Sequence, residues 1–236
     1  MRCLPILLAL TPAALAQDWT VLELKDGSAD QGSARFETLA DGIVRVNGSG
    51  DIARYRLEFR TRQSDIRGLK IEALPDDALP KKGPGRSANG NFVLSEVRVR
   101  TSVGRNSRAV EVVGASASFS QVGWPAEASI DGRESTGWAV SGAIGKASEL
   151  VLEFDEALGD GERRIVLDFD FAHGDAHSIG KLRVSATSSE GKLLAAGVEK
   201  GLGELRSQIN KSIDRGVNWL MSQQELDGSW ANDHGY

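Results

Sequence analysis

Strict two-residue alternation, repeated in short runs between turn-forming clusters, constrains this chain more than any other feature. In Ala53-Arg54-Tyr55-Arg56-Leu57-Glu58-Phe59 the odd positions are apolar and the even ones charged. Successive side chains of a strand point to opposite faces, so a run of this kind belongs half in a core and half in water. Leu69, Ile71 and Ala73 repeat the pattern against Lys70 and Glu72. Leu150, Leu152 and Phe154 do so, and Ile165, Leu167, Phe169 and Phe171 alternate with Asp168 and Asp170. Leu182, Val184 and Ala186 close the series. Asp41-Gly42, Asn47-Gly48, Asp131-Gly132 and Gly159-Asp160-Gly161 separate the runs as turns. Many short strands at such intervals predict a mainly β fold, an antiparallel β-sandwich. Asp168 and Asp170 are expected side by side in solvent. The arginine-dense stretch Arg54–Arg67 is expected to be a solvated face.

The pattern changes after Thr187. Ser188-Ser189-Glu190-Gly191 is hinge-like, and Leu202, Leu205, Ile209, Ile213, Val217 and Leu220 then fall three or four apart, one face of a helix. Gly201 and Gly203 are expected to break its early part, with Ser207 or Asn210 capping a second piece. Residues 191–205 are thus read as a linker and 206–236 as a helical segment.

The N-terminus reads as a secretory signal peptide over residues 1–16. Arg2 precedes an apolar run from Leu4 to Leu10 that is too short to span a bilayer, and Ala14-Leu15-Ala16 offers a small-residue cleavage site before Gln17. The expectation is an exported protein, periplasmic or extracellular. The only cysteine, Cys3, leaves with that peptide. The mature chain then has no disulfide, no thiolate zinc site and no Cys-x-x-Cys-His haem attachment. No later segment is apolar for long enough to cross a membrane. The net charge is −5, with acidic and basic residues interspersed, so no electrostatic footprint for nucleic acid is present.

Two resemblances add to this reading. Arg215-Gly216-Val217-Asn218-Trp219-Leu220, followed by Gln224, Asp227-Gly228 and Trp230, resembles the QW repeat of squalene cyclases and related α/α-toroid proteins. There the Gln and Trp stitch one helix to the next and the repeat is structural. The protonating aspartates of terpene cyclases sit in a separate Asp-rich motif that this chain lacks. One such unit cannot bury its own apolar face. The resemblance implies a truncated toroid, the front of a longer protein, with any toroid chemistry downstream.

The segments Leu74–Glu96, Ala117–Val140 and His177–Ser185 resemble the middle β-sandwich of large secreted planctomycete proteins, without their haem domain. That sandwich in turn resembles galactose-binding-like, discoidin (coagulation factor 5/8 C-type) modules, which implies a jelly roll over residues 17–190. The discoidin loop Ala-x-x-Asp-Gly, three residues, Thr-x-Trp is matched by Ala128, Asp131, Gly132, Thr136 and Trp138. In that family the loop wraps a structural calcium ion, a hard cation that takes six to eight oxygens. Carried over, Asp131 and Thr136 would offer side-chain oxygens, and Ala128 and Arg133 backbone carbonyls. Glu96 matches the family's strand glutamate, although that strand precedes the loop here and follows it in discoidins. A plain turn capped by Thr136 is the competing reading of the loop.

Glu96 also stands out by itself. Phe92 and Leu94 are apolar at even positions, Val97 and Val99 at odd ones, so the parity must switch near Ser95, as at a bulge. A glutamate buried there needs a cation or an arginine such as Arg98 or Arg183.

Modules of this fold read sugars with loops at one end. Trp124, between Gly123 and Pro125, is the candidate platform for a sugar face, or else a plug at the sandwich end. Arg86, in the Gly- and Asn-rich loop from Gly83 to Asn91, either helps bind an anion beside backbone amides or belongs to an ordered Ω-loop. His173-Gly174-Asp175-Ala176-His177 could supply zinc ligands but reads better as a connecting loop. No Gly-x-Ser-x-Gly elbow, phosphate loop or dinucleotide fingerprint occurs, and nothing assembles a catalytic constellation. The expectation is a non-catalytic recognition or placement module for a glycan or another envelope component. The alternatives are the N-terminal part of a terpene-cyclase-like enzyme and a purely structural sandwich.

Overall fold

The computed structural model describes residues 17–30, 34–48 and 54–223. Residues 1–16, read from the sequence as a leader, and the part of the QW-like segment that holds Gln224, Asp227 and Trp230, lie outside them. The described chain is predominantly antiparallel β-structure in three sheets, followed by one helix.

The larger sheet orders β10 (Val112–Ala117), β12 (Ser148–Leu158), β6 (Ile66–Ala73), β14 (Lys181–Thr187), β4 (Ile43–Asn47) and β3 (Arg35–Thr38), with β1 (Thr20–Val21) pairing β14 off this path. The second orders β2 (Glu23–Ala29), β5 (Arg54–Thr61), β13 (Arg163–Asp170), β8 (Glu96–Val103) and β9 (Asn106–Val110). A two-stranded ribbon joins β7 (Val93–Leu94) to β11 (Trp138–Ala139). Spatial neighbours are mostly distant in sequence, and the chain changes between the two larger sheets from β1 to β2, β2 to β3, β4 to β5, β5 to β6, β9 to β10, β12 to β13 and β13 to β14.

Alternation carries the packing. Tyr55, Leu57 and Phe59 of β5, Val97 and Val99 of β8, and Ile165, Leu167 and Phe169 of β13 are all buried. They share one cluster with Leu69, Ile71, Leu150, Leu152, Leu182 and Val184 of the larger sheet. Each such side chain contributes about 1.5–3 kcal/mol by leaving water. Aromatic rings lock the cluster edge to face: Tyr55 on Phe171 at 4.8 Å, and Phe92 on Trp138 at 5.0 Å between centroids. Trp138 donates its indole N–H to Phe119 O at 2.9 Å, so its polar edge is satisfied although fully buried.

The opposite face of the second sheet departs from expectation. Asp168 and Asp170 do lie on the outer face, but Asp170 is only 3% exposed. Register places it opposite Arg54 and Glu96, and Asp168 opposite Arg56 and Arg98. Arg54 Nε donates to Asp170 Oδ1 at 2.9 Å, Arg98 Nη1 to Asp170 Oδ2 at 2.7 Å, and Arg56 clasps Asp168. The arginines of β5 are a solvated face, as expected, and from it Arg54 and Arg56 also cover the carboxylates of the neighbouring β13.

Two further expectations are corrected. Residues 193–196 are not a free linker: Leu193 and Ala195 are buried against Val151, with Trp19 at their edge. Ala195 N donates to Ser116 Oγ at 2.9 Å and Ala196 N to Glu149. Gly68 makes the room, since a Cβ there would sit 2.3 Å from Leu193 Cδ1. Second, Gly201 and Gly203 do not break the helix: α1 runs unbroken over Val198–Gln223, 26 residues. A glycine costs only about 1 kcal/mol in a helix interior, which a run of good helix formers absorbs. Leu205, Ile209, Ile213, Val217 and Leu220 form one stripe along α1, each about half exposed.

Without cover, that stripe leaves α1 to its own propensity, which is marginal in water. Amide hydrogen exchange in the full chain should therefore be much faster in α1 than in β13. Equal protection of the two would show that another surface covers the helix.

Candidate functional site

The loops after β6, β10 and β13 meet at one end of the sheets. Asp76 anchors the first. Its Oδ1 accepts from Ala78 N at 2.9 Å, and its Oδ2 from Arg45 Nη2 at 3.0 Å and Lys181 Nζ at 3.1 Å. These donors, the Ala78 amide above all, then Lys181 and Arg45, overcome the effect of burial and hold its pKa at about 2. Farther along, Gly85 runs so close to the return strand that a Cβ would sit 1.8 Å from Asn91 O. Only glycine allows that approach.

Arg86 lies in this loop. Its amide donates to Ser178 O at 2.9 Å and its Nη2 to Gly48 O at 2.7 Å, while Nη1 is buried without a partner. It lines a cavity of about 280 Å³ with Arg45, Asp76, Leu79 and Pro80. Several of the loop's backbone amides are already engaged. Gly85 N is bonded to Gly90 O, Gly90 N to Ser87 O, and Asn91 N to the Asn89 side chain. These bonds tighten the loop, and Arg86 is the loop residue that lines the cavity.

Trp124 is half-buried in the second loop, where Trp124 N donates to Gln121 O at 2.9 Å and Val122 projects 97% exposed at the tip. Its ring meets His173 edge to face at 5.4 Å, and His173 meets His177 in the same way at 4.7 Å. The His173–His177 stretch is a turn, as its composition suggested, with Asp175 and Ala176 at positive φ. What sequence reasoning missed is that its two imidazoles brace Trp124. Nothing in the local spacing signals a contact across forty-nine residues.

The Asp131 loop sits beside the start of β8. The parity switch is realised at Ser95, where β7 ends and the chain passes into the second sheet, with Ser95 N donating to Asp170 O at 2.8 Å. Glu96, 7% exposed, then reaches the loop and accepts from Gly132 N at 2.9 Å. Burial raises its pKa; the Gly132 amide and Arg98 oppose this, and the charges of Asp131 and Asp170 add to it. Within the loop, Asp131 Oδ1 accepts from Arg133 N at 2.9 Å. Thr136 Oγ1 lies 2.9 Å from both carboxylate oxygens of Asp131 and 3.0 Å from Arg133 O. A hydroxyl has one proton, so it can satisfy one of these three oxygens and faces the others lone pair to lone pair. Ala128 lies in the short 3-10 turn Ala126–Ser129 that leads into the loop.

Of the residues expected to hold calcium, the structure thus brings Asp131, Thr136, Arg133 and Glu96 to one loop. The donor set fits a hard cation in kind: two carboxylates, a hydroxyl and a carbonyl. Among the described residues no group of three or more His, Cys, Asp or Glu side chains is placed to hold a metal, so hydroxyl and carbonyl oxygens would have to complete any shell. Comparison with protein-family models, curated proteins and solved structures finds no match to this chain.

Two predictions follow from these carboxylates. Asp76→Asn should lose on the order of 2 kcal/mol in denaturant unfolding at neutral pH. The folded pKa of Asp76 is depressed, so its contribution is present above the ordinary Asp range and lost as pH falls through about 2. A variant as stable as the wild type at neutral pH would contradict this. Glu96 has the opposite sign: its folded pKa is raised, so its charge weighs on the fold as pH rises. In calcium-free buffer Glu96→Gln should match the wild type near pH 4 and exceed it in thermal stability at pH 7. A pH-independent difference would remove the desolvation argument.

Proposed function

We propose that residues 17–198 form a galactose-binding-like β-sandwich of the discoidin kind, an exported, non-catalytic module that recognises or places the protein on a glycan or another envelope component. The observation that carries this reading is Trp124, a half-buried indole on a short loop, braced edge-on by His173 and flanked by the Arg86 loop. An indole held rigidly at a loop end offers a large flat apolar surface at little entropic cost, which suits the face of a sugar ring. Support for the sandwich comes from two sheets sharing one buried cluster and from repeated crossings between them.

Calcium belongs to the same proposal. Asp131, Thr136 and the Arg133 carbonyl would hold it, with Glu96 reaching the loop from β8 and Ala128 supplying a second carbonyl. The ion would supply charge to offset the buried Glu96 carboxylate and the exposed one of Asp131 and would stiffen the loop; it would take no part in a reaction.

The stripe of α1 favours a second reading for the C-terminal part. With the QW-like segment, it supports α1 as the first helix of an α/α toroid, and any chemistry would then sit on helices packed against that stripe.

The test is affinity electrophoresis of the full chain through gels containing soluble polysaccharides, with calcium and with chelator. Retardation by at least one polysaccharide, weakened about tenfold in Trp124→Ala and stronger with calcium, is expected. No retardation by any member of a broad panel would count against glycan recognition. Equal retardation of wild type and Trp124→Ala would move the site away from the loop end.

A further inference from the structure

At the opposite end of β13, seven residues from Asp170 and so about 23 Å away, stands an arginine that the proposed function does not use. Arg163 shares the parity of Ile165, Leu167 and Phe169, so it points inward, and it is 5% exposed. Its Nη2 donates to Gly159 O and to Asp160 O, while Nε is buried without a partner. Among the described residues it makes no ion pair. This sets it apart from Arg45, Arg98 and Arg183, less buried arginines that each have a carboxylate within 3.0 Å. Two carbonyls share a guanidinium's charge only in part, and a buried charge left unpaired is costly.

The neighbourhood adds to that cost. Arg108 of the edge strand β9, opposite Thr101 in register, lies closely enough to Arg163 for the two like charges to repel, and among the described residues it makes no ion pair. Asp65 and Asp160 act on Arg163 only through space. Both arginines line a cavity of about 190 Å³, whose other lining residues are Thr101, Ser102, Val103, Asn106 and Ser107. That is room for about six waters, and no carboxylate lines it; the hydroxyls of Thr101, Ser102 and Ser107 are taken by Arg164 O, Arg164 Nε and Arg100 Nη2, which leaves the guanidiniums and Asn106 as its polar groups. Two unpaired guanidiniums over such a pocket match the charge and the fork geometry of one oxoanion.

We propose that this pocket binds a single oxoanion group, a sulfate, phosphate or carboxylate, between Arg163 and Arg108, with Asn106 at its rim. The site is separate from the loop end, so the protein has an anion-reading end as well as an aromatic one.

The test is calorimetric titration of the full chain with sodium sulfate, sodium phosphate and sodium acetate at constant ionic strength, chloride being the reference. Saturable binding of at least one oxoanion is expected, weakened about tenfold in Arg108→Met and lost in Arg163→Met. Arg108 is exposed on an edge strand, so its variant keeps the test open should Arg163→Met fail to fold. Retention of the full chain by dextran sulfate but not dextran, lost in Arg108→Met, would place the group on a polymer; a response to free ions alone would make the ligand a small ion. Either supports the site. Absence of saturable binding beyond chloride would overturn it, as would identical binding by wild type and both variants. Neither result would bear on Trp124, whose test uses uncharged polysaccharides as well.

Discussion

The structure depends on the central strand of the second sheet, β13, serving two environments at once. Its odd residues fill the cluster between the sheets, and its even residues carry the carboxylates that tie three strands together from outside. A slip of one residue would exchange the two sets, putting Asp168 and Asp170 among leucines and Ile165 and Leu167 in water. The buried side alone would lose several kcal/mol, so the register is fixed before any loop contributes. The arginine roof then adds specificity rather than much stability. Arg54, Arg56 and Arg98 are more than half exposed, and such pairs are worth little each. Asp170 is the exception, because burial leaves it no other source of compensation.

Register also explains why the interesting groups gather at strand ends. Asp170 and Glu96 are paired neighbours at one end, which brings Glu96 under Gly132 and makes the Asp131 loop answer to the second sheet. At the other end Arg163 occupies the last inward position, where the cluster opens toward the turn 159–162. The inward row is apolar until it reaches that mouth and charged at it. A row that changes character where the two sheets part is a sequence-encoded boundary between core and site.

How much of this could be read from the chain follows the range of each interaction. Alternation in β5 and β13 was legible because period two is local. The parity switch at Ser95 was legible for the same reason, and it led to Glu96. The Asp131 loop was visible as spaced residues, and the capping of its turn by Thr136 was legible too, whereas the Gly132 amide reaching Glu96 was not. The partnership of Asp170 with Arg54 was not legible, because it depends on register between strands more than a hundred residues apart. Leu193 looked like linker because its socket is a missing side chain, at Gly68, on a strand far upstream. The continuity of α1 was misread by giving two glycines more weight than their roughly 1 kcal/mol each warrants over 26 residues.

The helix and the sheets pose opposite physical problems. In the sheets almost every apolar side chain of the described strands has found a partner, and the unresolved costs are polar: Glu96, Arg163 and the oxygens around Thr136. In α1 the unresolved cost is apolar, a stripe from Leu205 to Leu220 left in water. Polar costs of this kind are relieved by small charged ligands, which need only the right donors at the right spacing. An apolar stripe is relieved only by another surface, because the gain scales with area. The β region is thus suited to taking up ions and small groups by itself, and α1 to assembly with more protein.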